Sequence, residues 1–352
     1  MARRLRGGVV GCGFFAVNHL HAWADLPDCE IVAVCDRDPA RADQARARFA
    51  VPRAYDDARA MLASEQLDFV DIVTTVDSHR TLIELCAEHR VPAICQKPFA
   101  RDTADGEAMV RAAAAADIPL LVHENFRWQA PMRTIRRLLD DGAVGRVHFG
   151  RLSFRHAYDI YAGQPYLATE RRLALVDVGV HVLDLARFFL GEVTRIYCRA
   201  TRVNPRVAGE DSATLLLDHD AGATSVVDLC FFSKLDPDPF PQTLVHIEGD
   251  GGTLTLDAGY RLTVIGRGGR KVRDVEPAVP AWGAKPWHVI QDSVRNIQAH
   301  WLDCLRGKAT PGPSGADNLR TLDLVFKAYD SAESGHAIAV DHPPGDIRGE
   351  AT

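Results

Sequence analysis

The stretch Gly11-Cys12-Gly13-Phe14-Phe15-Ala16 decides the fold, because it has the form G-x-G-x-x-A and follows an apolar segment that ends at Val10. The first glycine permits a tight turn, the second lets backbone approach a pyrophosphate, and the small third residue allows close helix–strand packing. The amides of a following helix favour an anion. The stretch therefore predicts a dinucleotide-binding turn between a first strand and a first helix.

An acidic residue stands where such a turn needs one. Asp36 follows the apolar segment 30–35, about 20 residues beyond the turn, where a carboxylate binds the ribose hydroxyls. A carboxylate there repels a 2′-phosphate and favours NAD over NADP. The adjacent Arg37 leaves NADP open, because a guanidinium can bind a 2′-phosphate or stack on adenine. A glycine turn beside a solvated acid is the alternative without function.

The hydrophobic pattern divides the chain into two parts, as expected for 352 residues at about 150 per domain. Up to about residue 122, near-continuous apolar segments alternate with helical ones, which predicts a parallel sheet buried on both faces. Beyond residue 131 the alternation has period two, with a hairpin signal at 220–222. We predict an α/β protein: a doubly wound parallel sheet in 1–125, then an α/β domain in 126–352 with a large, mainly antiparallel sheet open on one face. The last helices, 289–305 and 319–334, are available to pack back on the first domain.

Composition excludes several classes. Lys and Arg number 41 against 47 Asp and Glu, and a pI near 6.2 argues against a nucleic-acid binder. No apolar run approaches the ~18 residues of a membrane span. Arginines at positions 3, 4 and 6 resemble the start of an export signal, but the apolar stretch after them is short, broken by glycine and needed as the first strand. Eight cysteines without a C-x-x-C pair exclude the usual zinc and redox motifs and indicate a reducing, cytoplasmic compartment.

A lysine is placed for chemistry at the sheet edge. Gln96-Lys97-Pro98 follows the strand 93–95, at the carboxyl edge where doubly wound folds bind ligands. A lysine there can hold a substrate hydroxyl and stabilise the alkoxide that forms as hydride leaves. The Lys97-Pro98 bond is a candidate for the cis isomer. An ordinary surface lysine before a loop proline is the alternative.

Polar residues interrupt an apolar helix predicted over 176–190. Asp177, His181 and Asp184 are four and three residues apart, which places them on one helical face. Gly179 would let a ligand or backbone approach. A buried histidine satisfied by its own aspartates is one alternative, and a metal site is another. We expect no metal, because nothing else in the sequence contributes a ligand cluster.

The chain resembles the GFO/IDH/MocA family of dinucleotide-dependent sugar and polyol dehydrogenases over nearly its whole length. The motifs that carry the resemblance are Gly11–Ala16, Asp36, Thr74-Thr75-Val76-Asp77-Ser78-His79, Gln96-Lys97-Pro98, Asp177–Asp184 and Ser314-Gly315-Ala316-Asp317-Asn318-Leu319 through Tyr329. The resemblance implies a Rossmann domain, catalytic roles for Lys97, Asp177 and His181, and cofactor contacts from Thr74, Thr75, His79 and Gln96 besides the turn, Asp36 and Arg37. The family's usual glutamate before the lysine is Gln96 here, and its third glycine is Ala16.

Two loops, 123–128 and 161–170, most resemble those of the D-apiose dehydrogenases, a subfamily that oxidises an anomeric carbon to a lactone. That likeness implies substrate contacts from Asn125, Arg127, Trp128, Tyr161 and Gln164. For the first three residues, a loop that packs between the domains is the alternative.

The expected reaction follows from these roles. His181 takes the proton of the reacting hydroxyl, Asp177 orients the imidazole or binds a neighbouring hydroxyl, and Lys97 stabilises the oxyanion; Lys97 and His181 can exchange roles. The competing hypotheses are an inositol, other polyol or keto-sugar dehydrogenase, a dinucleotide-sensing binding protein without chemistry, and an enzyme of the same fold that cleaves glycosides or reduces a biliverdin-type substrate. The open sheet face predicts a homodimer or homotetramer.

Overall fold

The chain forms two compact units in a computed structural model that describes residues 3–236 and 240–341. One unit comprises the described residues up to Asn125 together with Pro280–Leu322. The other comprises the described residues of Phe126–Val279 and those from Asp323 onward. The first unit is therefore assembled from two segments that are far apart in the sequence.

A parallel sheet organises the first unit. Within the described residues it has six strands in the order β3-β2-β1-β4-β5-β6, and every pairing is parallel. Central strand residues such as Val9, Val34 and Ile94 are fully buried, as expected for strands covered by helices on both faces. The predicted doubly wound sheet is confirmed. Its elements are β1 Leu5–Val10, α1 Ala16–Ala24, β2 Cys29–Cys35, α2 Pro39–Phe49, β3 Arg53–Tyr55, α3 Ala58–Ser64, β4 Phe69–Ile72, α4 His79–Glu88, β5 Ala93–Gln96, α5 Thr103–Ala115 and β6 Leu120–His123.

A larger sheet organises the second unit. In the described part of the chain it has nine strands in the order β14-β13-β12-β11-β7-β10-β9-β8-β15, of which only β7 and β10 pair in parallel. The predicted, mainly antiparallel sheet is confirmed. The elements that follow β6 are α6 Ala130–Asp140, β7 Val147–Arg155, α7 Val180–Leu190, β8 Val193–Thr201, β9 Ser212–His219, β10 Thr224–Cys230, β11 Thr243–Gly249, β12 Gly252–Asp257, β13 Arg261–Gly266, β14 Gly269–Asp274, α8 His288–Leu305, α9 Gly315–Ser334 and β15 Ile338–Ala339.

Some elements are absent from the sequence prediction. The edge strand β14 is exposed along its whole length, so it shows no burial pattern to recognise. The proline-rich segment after β14 packs within the first unit: the Trp282 ring stacks on His21 at 5.3 Å between centroids, and Trp287 meets Phe14 edge-on at 6.5 Å. No helix among the described residues is both long and apolar enough to cross a bilayer.

Candidate active site

The glycine turn has the backbone geometry that a dinucleotide needs. Gly11 has a φ of +98°, and a Cβ there would lie 2.4 Å from the carbonyl oxygen of Val73. A Cβ on Gly13 would meet nothing within 4 Å, so the backbone is open at the second glycine. Helix α1 begins at Ala16, and Phe15 before it provides no side-chain cap. Open amides at a helix N-terminus beside bare backbone fit a pyrophosphate.

Asp36 is held towards this turn. Its Oδ2 accepts a hydrogen bond from the backbone nitrogen of Cys12 at 2.8 Å, and its Oδ1 accepts one from Asp38 at 3.0 Å. Arg37, next to it, is exposed. Burial raises the pKa of the Cys12 thiol to about 12, so this cysteine is a neutral thiol within the turn. The carboxylate is therefore fixed where ribose hydroxyls would bind.

His79 ties together two loops at the carboxyl edge of the sheet. Its Nδ1 lies 3.0 Å from the carbonyl oxygen of Phe99, and its Nε2 lies 3.2 Å from that of Thr74. Burial lowers the pKa of His79, and the two carbonyls partly offset this effect. The Thr74 hydroxyl accepts a hydrogen bond from Ser78 at 2.8 Å, whereas Thr75 is exposed. His79 thus positions the 74–79 loop from inside the protein.

Lys97 follows β5 directly and precedes a cis bond to Pro98. Its backbone nitrogen donates to Oε1 of Gln96 at 2.7 Å. The Gln96 side chain is buried, and its Nε2 lies 3.0 Å from Nε2 of His19. Gln96 therefore hydrogen-bonds protein groups beneath the sheet edge.

The predicted helix over 176–190 begins with a π-helical turn, Leu175–Gly179, and becomes α-helical only at Val180. The α-helical spacing assumed between Asp177 and His181 is wrong, because π-helical hydrogen bonds run from residue i to i+5. Of the two approaches expected at Gly179, ligand or backbone, the structure shows close packing of protein groups. A Cβ there would lie 3.3 Å from both Leu175 and Leu229 and 3.4 Å from the carbonyl oxygen of Ala174.

Glu210 fixes the start of this π turn. Its Oε1 accepts hydrogen bonds from the backbone nitrogens of Leu173 and Leu175 at 3.1 Å each, and from the Tyr329 hydroxyl at 2.6 Å. The backbone nitrogen of Asp177 in turn donates to the carbonyl of Leu173 at 2.9 Å. Glu210 was not predicted from the sequence; the closing motif that ends at Tyr329 is the signal that points to it.

His181 is buried against an aromatic ring, and the residue that follows this ring in the sequence forms an ion pair. The Phe126 ring stacks on His181 at 3.8 Å with an interplanar angle of 2°. Arg127 forms a bidentate ion pair with Asp184, with 2.6 Å from Nε to Oδ2, and its guanidinium lies over Phe188 at 5.2 Å. Arg127 is thus engaged with the protein.

The other residues predicted to contact substrate divide into two groups. Asn125 is buried and donates to the Ser293 hydroxyl at 2.6 Å, as a packing residue does. Trp128 lies under the Arg133 guanidinium at 4.6 Å, and Gln164 accepts a hydrogen bond from Tyr166 at 3.0 Å. The second group is Tyr161 alone.

The Tyr161 hydroxyl is buried and has no hydrogen-bond partner among the described residues. Burial raises its pKa to about 12, and the negative charges of Asp211, Asp159 and Asp177 add to the effect. The phenol is therefore a neutral hydroxyl. No group of three or more metal-binding side chains occurs in the part of the chain that the structure describes.

Comparison with known proteins places the chain in a family. Residues 5–124 match the GFO/IDH/MocA model described as an oxidoreductase family with a NAD-binding Rossmann fold, and residues 132–255 match the family's C-terminal domain. A D-apiose dehydrogenase of Rhizobium rhizogenes is 51% identical over 96% of this chain and 97% of its own length. A D-apiose dehydrogenase of Paraburkholderia graminis is 52% identical over 96% of this chain and 90% of its own length.

A solved structure has the same fold throughout. The crystal structure of an oxidoreductase from Agrobacterium radiobacter, in complex with NAD+, L-tartaric acid and magnesium, superimposes with a TM-score of 0.94. The two proteins are 50% identical, and the match covers 96% of this chain and 98% of the other. The chain therefore belongs to the GFO/IDH/MocA family of oxidoreductases, whose first domain is a NAD-binding Rossmann fold.

Proposed function

We propose that the protein is a NAD-dependent dehydrogenase that oxidises D-apiose at its anomeric carbon to a lactone. The observation that carries the proposal is sequence identity to two relatives named D-apiose dehydrogenase. They are 51% and 52% identical to this protein over 96% of its chain. The open glycine turn and the carboxylate of Asp36 support NAD as the cofactor. Bound NAD+ supplies the acceptor for the hydride that leaves the sugar carbon.

Three side chains remove the proton and stabilise the negative charge on the reacting oxygen. His181 takes the proton of the reacting hydroxyl, because an imidazole titrates near neutral pH. Asp177 orients His181 or binds a neighbouring hydroxyl, and Lys97 stabilises the oxygen as it becomes negative. A π turn at Asp177 supports this assignment, since such turns occur frequently at functional sites.

Tyr161 is the direct substrate contact in this proposal. The buried Tyr161 hydroxyl lacks a protein partner in the described residues, and a sugar hydroxyl would satisfy it. In this proposal Arg127 acts through Asp184. The ion pair between them is almost fully buried and supports the protein beside the site.

A cofactor-reduction screen tests the function. Purified protein is mixed with NAD+ and a panel of aldoses and polyols that includes D-apiose and inositols, and NADH and lactone are measured. We expect NADH with D-apiose, and about a 10²–10⁴-fold loss of kcat/KM in His181→Asn and in Lys97→Met. His148→Asn and Lys308→Met, both exposed, are the matched controls.

Three other results would contradict the proposal. NADH formation only with inositols or other polyols would indicate a polyol dehydrogenase. Binding of NAD+ without reduction on any sugar would indicate a sensor. Substrate turnover without net NADH would indicate chemistry in which the nicotinamide is restored, such as glycoside cleavage.

The open sheet face supports a proposed homodimer or homotetramer. Tyr197 on β8 and Leu216 on β9 are paired across strands and are 39% and 47% exposed. Adjacent exposed apolar side chains favour a covered face. Leu216→Asp should shift the mass measured by light scattering to the monomer; an unchanged mass would exclude this face.

A cytoplasmic location is proposed from the cysteines. Seven of the eight are buried, and burial raises the pKa of Cys29, Cys35 and Cys86 to about 12, so these remain protonated thiols. A reducing compartment preserves such thiols. Cell fractionation tests this location.

A further inference from the structure

A buried chain of hydrogen bonds in the first unit connects Asp71 to the backbone of Lys97. Asp71 lies in β4 and is fully buried; its Oδ2 accepts a hydrogen bond from Trp23 Nε1 at 2.7 Å and lies 2.7 Å from Nδ1 of His19. His19 Nε2 is 3.0 Å from Gln96 Nε2, and Gln96 Oε1 accepts from the Lys97 nitrogen at 2.7 Å. A carboxylate within an apolar strand is costly unless it is hydrogen-bonded.

One backbone N–H group determines which atom donates and which accepts in each of these hydrogen bonds. The N–H of Lys97 can only donate, so the Gln96 atom that faces it must be the carbonyl oxygen. The amide nitrogen then faces His19 and donates to Nε2, which must carry a lone pair. The proton of the neutral imidazole therefore lies on Nδ1 and is donated to the carboxylate of Asp71. If the Gln96 amide were flipped, its NH2 group would face the N–H of Lys97, and two donors would meet with no acceptor between them.

Residues from β6 and α8 also contact this series of hydrogen bonds. The His123 ring lies 4.2 Å from the His19 ring, and its Nδ1 is 3.5 Å from Gln96 Nε2. Gln298 from α8 donates to the carbonyl of His19 at 3.3 Å. The titratable groups that face the chain are Asp71 from β4, Cys95 and Lys97 at β5, and His123 from β6; burial raises the pKa of Cys95, which leaves it a neutral thiol.

We propose that Asp71, His19 and Gln96 are positioning residues for Lys97, and that they act only while a proton lies between residue 96 and Nε2 of His19. The inference rests on the proposed function, because the catalytic role of Lys97 belongs to it. In the wild-type protein this proton is held by the side-chain amide nitrogen of Gln96, which does not titrate. The position of Lys97 is therefore independent of pH in the working range of the enzyme.

Gln96→Glu tests the proton directly. The carboxylate has the shape of the amide, but the proton it shares with His19 now dissociates as the pH rises. We expect kcat to fall on the alkaline side in Gln96→Glu, to recover at lower pH, and to show no such fall in the wild type. Gln96→Met removes both hydrogen bonds and should lower kcat by about 10–100-fold at every pH, since small misplacements cost this much.

The Kd for NAD+ should stay within about two-fold in both variants, because the phosphate turn is unchanged. Ser331→Ala is the matched control: its hydroxyl makes two buried hydrogen bonds in the other unit, to Cys198 and His336. It should lower stability and leave the pH profile unchanged. A wild-type pH profile in Gln96→Glu, or a wild-type kcat in Gln96→Met, would overturn the proposal.

Nitrogen NMR of the wild-type histidines provides a readout that needs no activity. His19, assigned by the signal that disappears in His19→Asn, should be neutral with its proton on Nδ1. A proton on Nε2, or a doubly protonated ring, would refute the proposed chain even if the enzyme oxidises D-apiose. If His19 has the expected tautomer but no sugar is oxidised, the proposed function fails and the chain as described stands.

Discussion

Removing Asp184 should show how much one buried ion pair contributes to the stability of the second unit. Asp184 is fully buried, and the Arg127 side chain is 11% exposed. Asp184→Ala takes the bidentate carboxylate away from a guanidinium that stays in the interior. Because a buried charge that loses its partner is poorly solvated, such a change costs about 3–5 kcal/mol.

Contacts that the Arg127 guanidinium keeps place the expected loss at the lower end of that range. The guanidinium keeps its position over the Phe188 ring, a contact worth about 0.5–2 kcal/mol. We therefore expect a loss near 3 kcal/mol for Asp184→Ala, which at about 2–4 °C per kcal/mol lowers Tm by about 10 °C. The paired change Arg127→Met with Asp184→Leu should cost much less than Asp184→Ala, because both charges are gone.

Urea unfolding of the wild type, Arg127→Met, Asp184→Leu and the double variant gives the coupling energy, which should be about 2 kcal/mol or more. The same variants report on catalysis. Arg127 follows Phe126, whose ring stacks on His181, so kcat should fall in Asp184→Ala. A loss of less than about 1 kcal/mol, or a double variant as unstable as the sum of the single ones, would refute this account of the pair.

Three further changes have defined outcomes. Asp36→Ser should raise KM for NAD+ by about 10–100-fold and lower KM for NADP+, because charged hydrogen bonds to ribose are lost and repulsion of the 2′-phosphate ends; initial rates with both cofactors measure it, and an unchanged preference contradicts it. Gly11→Ala should abolish NAD+ binding in calorimetry, since its Cβ would lie 2.4 Å from the Val73 carbonyl; binding at wild-type affinity contradicts it. Burial lowers the pKa of His79, so the unfolded chain binds more protons and the free energy of unfolding should fall as the pH drops below about 6.5. Denaturant titrations across pH should show a smaller fall in His79→Gln, and an identical fall would exclude His79 as its source.

The parts of the fold that were predictable from the sequence depend on local pattern. The turn at Gly11–Ala16 and the continuous apolar strands need only neighbouring residues, because burial on both faces requires an unbroken apolar run. The same holds for the cis bond expected at Lys97-Pro98, since cis peptide bonds are essentially confined to proline.

The parts that were not predictable depend on contacts between distant residues. Arg127 and Asp184 are 57 residues apart, and Glu210 reaches back 37 residues to Leu173, so no local pattern marks either contact. The π turn is invisible to periodicity, because one extra residue in a single turn leaves the apolar spacing of the following α-helix unchanged. His19 and Asp71 carry no local signal of a role at the sheet edge, because the link between them and that edge is Gln96, which lies 77 residues from His19.

Because the first unit is discontinuous in the sequence, its sheet remains incomplete during much of translation. The outer edge of β6 is covered by the segment 313–314, with the backbone nitrogen of Val122 donating to the carbonyl of Pro313 at 3.0 Å, and the unit is complete only at Leu322. An emerging chain therefore carries an unprotected sheet edge from the synthesis of β6 until residues 313–314 follow, which is the situation in which nascent strands aggregate or recruit chaperones. The strands of the first unit are thus made well before the segment 280–322 that completes it.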